Sequence, residues 1–465
     1  MHVSLTRIAS AVMLGALAVQ LDTTMTNVAL DTLLREFDAP IATIQWVGTA
    51  YLLAMAMVIP LSGWAVDRYG AKRVWLASLA AFLAGSLLCG IAWSAPSLIA
   101  FRVVQGLGGG MLLPLAQTIL AQAAGPERLG RLMAAIGVPV MLGPVLGPVL
   151  GGLIVDDLSW RWIFFANIPV CLAAVALSWW ALPEGATSGR ARLDALGLAL
   201  LSPGCAALVY GLAEAGRSGG FTAVGVLAPL ALGVALLAGF VRHALRPGVE
   251  PLIDVRLLRD RAFAASSGVV FFAGFALFGA VILLPLFYQQ VRGDSATQAG
   301  LLMGPQGLGL GIALIVAGRL SDRIGPRPLV LTGLGLTALG TLAFTQADAD
   351  TSSWLLAVTL AVRGAGVGAT LVPVLAGAIR TLAPERIPRA STAVRIFQQL
   401  GSSFGGAVLA VVLQHQVTAG TDLTRAFNHT FWWVLGFVVI GVGPALLLPA
   451  TIARSAESER AELVH

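Results

Sequence analysis

A chain of 465 residues that is 57% hydrophobic and 11% charged, with a mean hydropathy of +0.86, lies outside the range of soluble domains. Its net charge of +6 comes without a basic stripe interleaved with aromatics, so nucleic acid is not an expected partner. Neither the cysteines (Cys89, Cys171, Cys205) nor the five histidines show metal-ligand spacing, and no set of nucleophile, base and oxyanion donors is present. Enzymatic activity and a bound metal are therefore not expected.

Segments of roughly twenty apolar residues predict fourteen membrane helices, at 8–30, 41–66, 74–93, 96–124, 131–155, 161–182, 194–213, 221–241, 263–289, 298–320, 328–346, 353–381, 390–413 and 428–452. The first follows Arg7 and resembles a signal peptide, but it carries Asp22, lacks a clear small-residue cleavage site and leads into further spans. It is expected to be retained. Of the 23 acidic residues, only Asp22 falls well inside a span. An ionised group there is costly unless it is paired, hydrated or protonated, so its presence points to use; the structural alternative is a packing carboxylate satisfied by Thr23, Thr26 or Asn27.

The second span ends in Gly63-Trp-Ala-Val-Asp67-Arg68-Tyr-Gly70-Ala-Lys72-Arg73. The fourth carries Arg102, about six residues from its outer end, while Asp22 lies about eight residues from the outer end of span one; at ~1.5 Å per residue the depths agree within roughly 3 Å. The two are expected to meet, either as a working pair or as a static structural one. Span five has Gly143, Gly147 and Gly151 on one face, with Gly152 beside them, which lets a neighbouring backbone approach closely. Pro144 and Pro148 each remove a backbone donor there and favour a bend.

Ahead of the ninth span lies a linker at roughly 242–262 with eight charged residues. The tenth span closes on Gly318-Arg-Leu-Ser-Asp322-Arg323-Ile-Gly325-Pro-Arg327, which repeats the first loop 255 positions later. Adding 255 carries the first five spans close to spans nine to thirteen, while spans seven and eight have no counterpart. The expected layout is six plus two plus six: an N-terminal half at 1–185, an inserted pair at 186–250, a C-terminal half at 251–455 and a charged tail at 456–465. Span twelve carries Arg363 near its middle, and span thirteen has Arg395, Gln398 and Gln399 but no acidic residue. Three predicted intramembrane arginines against one aspartate disfavour a strongly dicationic substrate.

Lysine and arginine accumulate in cytoplasmic loops. With the N-terminus inside, 21 of the 29 basic residues fall in inner loops, so both termini are expected in the cytoplasm. One lysine against 28 arginines is the composition of a GC-rich bacterial genome, which makes the bacterial cytoplasmic (inner) membrane the expected location.

The loop G-x-x-x-D-R-x-G-x-[KR]-[KR] resembles the signature between helices 2 and 3 of the major facilitator superfamily. Leu21-Asp22-Thr23-Thr24-Met25-Thr26-Asn27-Val28-Ala29-Leu30, Arg102-Val-Val-Gln105-Gly106-Leu-Gly108-Gly109-Gly110 and Gly143-Pro144-Val-Leu-Gly147-Pro148-Val-Leu-Gly151-Gly152 resemble motifs of its fourteen-helix drug:proton antiporter branch. Asp31 stands where the family usually has a proline. The resemblance implies an all-α integral membrane fold and proton-driven export of hydrophobic or amphipathic small molecules by alternating access. It places proton coupling on Asp22 and Arg102 and a pivot on the glycines and prolines of span five. It also implies a conformational latch at Gly63, Asp67, Arg68, Gly70, Lys72 and Arg73 with Gly318, Asp322, Arg323, Gly325 and Arg327. Asp67 and Asp322 are expected to meet the amino ends of the following helices. The substrate cavity is expected to include Gln45, Gln117, Arg363, Gln398 and Gln399. Expected partners are the small molecule, protons and the lipid bilayer, with no cofactor because the proton gradient supplies the energy. The residues do not specify whether a membrane-fusion protein extends the route outward. A narrower exporter of an amino acid, organic acid or lipid-like metabolite and a transporter-like sensor are the competing readings.

Overall fold

The computed structural model describes residues 5–124, 143, 146–147, 150–155, 157–184, 192–294, 296–380, 382 and 386–450, and among them all regular structure is helical. The helices are α1 (Leu5–Phe37), α2 (Ile41–Val58), α3 (Leu61–Tyr69), α4 (Ala71–Gly90), α5 (Ala95–Ala124), α6 (Arg161–Phe165), α7 (Asn167–Ala181), α8 (Ala195–Ser218) and α9 (Val224–Ala244). They continue as α10 (Arg261–Leu286), α11 (Ala296–Leu302), α12 (Gly304–Ile324), α13 (Pro326–Leu342), α14 (Ser353–Arg380), α15 (Ile387–Thr418), α16 (Leu423–Ile440) and α17 (Val442–Leu446). With no water in hydrocarbon to bond backbone groups, long apolar runs close their hydrogen bonds within helices. Polar residues mark the ends: the side chains of Asp194, Asp260 and Asp422 accept from backbone N–H groups in the first turns of α8, α10 and α16.

Eleven separate helices among the described residues are long and apolar enough to cross a bilayer, or twelve when a bent pair is counted as one span. Fourteen are expected from the sequence, and the difference has identifiable sources. Most of the fifth expected span, 131–155, lies outside the described residues, which place Gly143, Gly147 and 150–155 in helix. The ninth expected span coincides with α10. The second is not the single rod its hydropathy suggests: α2 and α3 meet at 53° across Ile59-Pro60, where proline removes the hydrogen-bond donor that would continue the helix.

Both signature loops turn the chain with one glycine. Gly70 (φ 85°, ψ 149°) joins α3 to α4 and Gly325 (φ 84°, ψ 168°) joins α12 to α13, a conformation open essentially to glycine alone. The repeat continues in the packing. α5 packs on α1, α2 and α4, and α7 on α1 and α4; in the second half α14 packs on α10, α12 and α13, and α16 on α10 and α13. A β-carbon on Gly85 of α4 would fall 2.5 Å from Gln105 Cα in α5, and one on Gly340 of α13 would fall 2.6 Å from Arg363 N in α14. Glycine sets the same close crossing in both halves.

Among the described residues the halves meet chiefly through α15, which crosses to pack on α3 and α5 of the first half. α8 pairs with α9 and lies against both α2 and α15, so the inserted helices brace the seam from one side. Most of α9 faces outward, as a helix bordered by lipid does.

Candidate functional site: a buried ion pair and an inter-half clasp

Five helices converge on Asp22, which is fully buried in α1. Its Oδ2 accepts from Arg102 Nη1 at 2.6 Å, and its Oδ1 accepts from Gln105 Nε2 and Asn167 Nδ2, each at 2.8 Å. Arg102 and Gln105 come from successive turns of α5, and Asn167 opens α7. Arg102 Nη1 also donates to Gln105 Oε1 at 2.7 Å, and its Nε donates to the Val47 carbonyl of α2 at 3.1 Å. Tyr51, one turn further along α2, stacks on the guanidinium with its ring centroid 3.9 Å from Cζ. Ser86 of α4 ties the network off, accepting from Gln105 and Asn167 and donating to the Phe164 carbonyl.

Asp22, Arg102, Gln105, Asn167, Ser86 and Tyr51 are each no more than 2% exposed. A charge pair removed from water repays its desolvation only when its remaining hydrogen bonds are also made, and here three donors fill most of the carboxylate's acceptor sites. Deleting one partner of such a pair costs about 3–5 kcal/mol. Reasoning from sequence missed Gln105, Asn167, Ser86 and Tyr51. Gln105 was visible as a polar residue three positions beyond Arg102, on the same helix face. Asn167 was visible as an amide in an otherwise apolar run.

The second half holds a weaker echo. Arg363 is 1% exposed and donates from Nε to Thr341 Oγ1 at 3.2 Å, from Nη1 to Gln306 Oε1 at 3.1 Å and from Nη2 to the Ala276 carbonyl at 2.6 Å. Its backbone takes the place of Gln105 in the α13–α14 crossing, and Thr341 takes that of Ser86. No carboxylate accompanies it among the described residues.

The other expected cavity residues do not gather around this network. Gln45 is half-buried toward the start of α2. Gln117 is buried in α5, with its Oε1 unpartnered among the described residues, and stands about 18 Å along the helix from Gln105. Gln398 accepts from Arg395 Nη1 at 2.7 Å in α15, and Gln399 is half-buried beside it.

The first signature loop joins the two halves. Asp67 Oδ2 accepts from Arg389 Nε of α15 at 3.2 Å, and the hydroxyls of Ser62 and Thr392 lie 2.8 Å apart. A β-carbon on Gly63 would lie 3.3 Å from Arg389 Cα, so glycine lets α3 sit on α15. Asp67 stands three residues before Gly70, which α4 follows directly, and its carboxylate reaches across to a cation on the other half. Arg68 and Arg73 are exposed, and Lys72 Nζ lies 5.8 Å over the Trp179 ring. In the second loop Gly318 and Gly325 are buried, Arg323 is exposed, and the Arg327 amide donates to the Pro449 carbonyl; the Asp322 side chain lies outside the described residues.

In the expected pivot, the Gly143 carbonyl accepts from Thr24 Oγ1 at 3.1 Å, and Gly147 and Gly151 face Thr24 and Met25 of α1. That puts the glycine stripe one turn from Asp22. Gly152 faces open space, and Pro144 and Pro148 lie outside the described residues.

Comparisons with known proteins agree with this architecture. A chain from Mycobacterium tuberculosis called multidrug resistance protein B homolog is 42% identical over 432 residues, covering 92% of this chain and 78% of that one. A probable actinorhodin transporter of Streptomyces coelicolor is 34% identical, covering 89% and 74%. Among solved structures, the proton:xylose symporter XylE superposes with a TM-score of 0.68 at 15% identity over 98% of both chains. The human organic anion transporter MFSD10 does so with a TM-score of 0.66 at 19% identity, covering 96% of this chain and all of that one. At such identities the structures speak for the fold alone. Residues 12–406 match the family model described as Major Facilitator Superfamily, and with the repeated halves and the doubled signature loop this makes the chain a multi-pass membrane protein and transporter of the Major Facilitator Superfamily.

Proposed function

We propose that the protein exports hydrophobic or amphipathic small molecules, antibiotics and other drugs among them, in exchange for protons. The observation that carries the reading is the carboxylate of Asp22, buried within the first half and held by Arg102, Gln105 and Asn167. Protonation would cancel the charge that orients those three donors, and α1, α5 and α7 would repack. Deprotonation toward the other side would restore them. This couples a proton to a helix rearrangement without a cofactor. The relatives named for multidrug resistance support the export direction.

The proposed topology is fourteen spans as six plus two plus six, with halves at 1–185 and 251–455, the inserted pair at 186–250 and a tail at 456–465. Both termini lie in the cytoplasm of a bacterial cell whose cytoplasmic membrane holds the protein. The Asp67–Arg389 clasp is then cytoplasmic, and the described conformation is closed on that side. Release would follow outward, with Gly143, Pro144, Gly147, Pro148, Gly151 and Gly152 as the pivot and Gln45, Gln117, Arg363, Gln398 and Gln399 among the cavity's polar groups.

A narrower exporter of organic acids is a second reading, favoured by the neutral acceptors that Arg363 and Arg395 meet among the described residues. The test is flux in proteoliposomes containing the purified protein, with a pH gradient imposed and a panel of neutral, cationic and anionic amphiphiles inside. Gradient-driven movement of several unrelated amphiphiles supports broad export, and movement of acids alone supports the narrower reading. Binding of panel members without any ligand-driven proton movement would replace both with a sensor.

A further inference from the structure

The described membrane core contains three buried arginines, Arg102, Arg363 and Arg395, against one buried carboxylate. Asp22 is consumed by Arg102. An uncompensated charge in such a core costs several kcal/mol even after relaxation, and neutral hydrogen-bond acceptors solvate it without cancelling it. Two cations therefore await a counter-charge. They differ in place. Arg363 is sealed within its half by three neutral acceptors on three neighbouring segments.

Arg395 stands at the seam. It lies on α15, the helix that crosses to α3 and α5. Arg389 and Thr392 on that helix already touch the first half through Asp67 and Ser62, and Arg395 is the next residue at the three-residue helical spacing, one step deeper into the membrane. Tyr51 of the first half, the residue stacked on Arg102, is within electrostatic reach. Arg395 is 9% exposed and donates from Nη1 to Gln398 Oε1, which occupies one of its five N–H donors among the described residues. It stands eight residues, about 12 Å, along α15 from that helix's first residue. A planar cation with free donors, buried just above a closed clasp and between two moving halves, matches a carboxylate or sulfonate bidentately.

We propose that Arg395 recognises the negatively charged group of an organic anion, and that amphipathic anions are the preferred cargo. The inference rests on the export reading above and deepens it. Binding an anion at this point neutralises the cation when both halves surround it, so the anion favours the occluded arrangement over one in which Arg395 is hydrated.

The test compares dansylglycine, a carboxylate amphiphile, with its neutral methyl ester on the full-length protein in nanodiscs of zwitterionic phosphatidylcholine, read by fluorescence titration. The unmodified protein should bind the acid about tenfold or more tightly than the ester. Arg395→Gln should abolish that preference while leaving ester affinity in place, and Arg395→Lys should keep part of it. Equal affinity of the unmodified protein for acid and ester, or a preference that survives Arg395→Gln, overturns the assignment; the first comparison requires no variant to fold. Repeating the titration in discs containing phosphatidylglycerol separates a soluble anion from a lipid headgroup. Unchanged acid affinity supports the soluble anion, and its loss by competition would overturn the proposal in favour of lipid. Gradient-driven export of the ester without preference for the acid would leave the export reading standing and this site refuted. Arg395-dependent acid binding without gradient-driven flux would do the reverse.

Discussion

Breaking the clasp between Asp67 and Arg389 should shift the conformational equilibrium by a calculable amount. The charges lie 3.2 Å apart with side-chain exposures of 18% and 25%. At an effective dielectric of about 20 their attraction is about 5 kcal/mol. Desolvation and the ordering of two flexible side chains return most of it. The net value belongs between the ~0–1 kcal/mol of exposed pairs and the ~3–5 kcal/mol lost on breaking fully buried ones. We therefore expect about 1–2 kcal/mol, or roughly a 5- to 30-fold change in the ratio of closed to open states on that side. The assay is pulsed electron resonance between spin labels at Tyr69 and Ile324, exposed positions beside the two signature loops. Asp67→Asn and Arg389→Gln should each add a longer-distance population, and the double variant should add no more than either alone. The exchanged pair Asp67→Arg with Arg389→Asp should restore much of the closed population. Additive single effects, or unchanged distances in all variants, would refute the clasp as a determinant of state.

Asp22→Asn should abolish pH-gradient-driven export and lower thermal stability, because Arg102 loses its counter-charge. Adding Arg102→Gln should recover stability but not export, and a double variant that regains gradient-driven flux would remove Asp22 from proton coupling. Gly85→Ala and Gly340→Ala should each destabilise the protein by about 1–3 kcal/mol in a detergent melting assay, since the new methyl overpacks a helix crossing. Gly335→Ala, on the same helix as Gly340 but with open space around it, should melt like the parent. In a background without native cysteines, Arg217→Cys should react with impermeant thiol reagents from outside and Arg246→Cys only from inside; the opposite pattern would remove the proposed topology.

What the chain determined alone is what depends on local chemistry. Apolar length placed the helices, because hydrocarbon forbids unpaired backbone groups. The doubled G-x-x-x-D-R-x-G loop exposed the repeat, and Gly70 and Gly325 are required there by a positive φ that needs no partner to explain it. The depths of Asp22 and Arg102 were countable because helical rise is constant. Tertiary structure decided which polar groups meet. The partner of Asp67 lies 322 residues away on α15, and the donors to Asp22 come from α5 and α7 at separations of 80, 83 and 145 residues. Helix rotation about its own axis sets those meetings, and it is fixed by interlocking side chains on several neighbours at once. A hydropathy pattern cannot carry that, since nearly every face of a membrane helix is apolar. The bend at Pro60, the bracing of the seam by α8 and the placing of Arg395 against the other half follow from the same long-range packing.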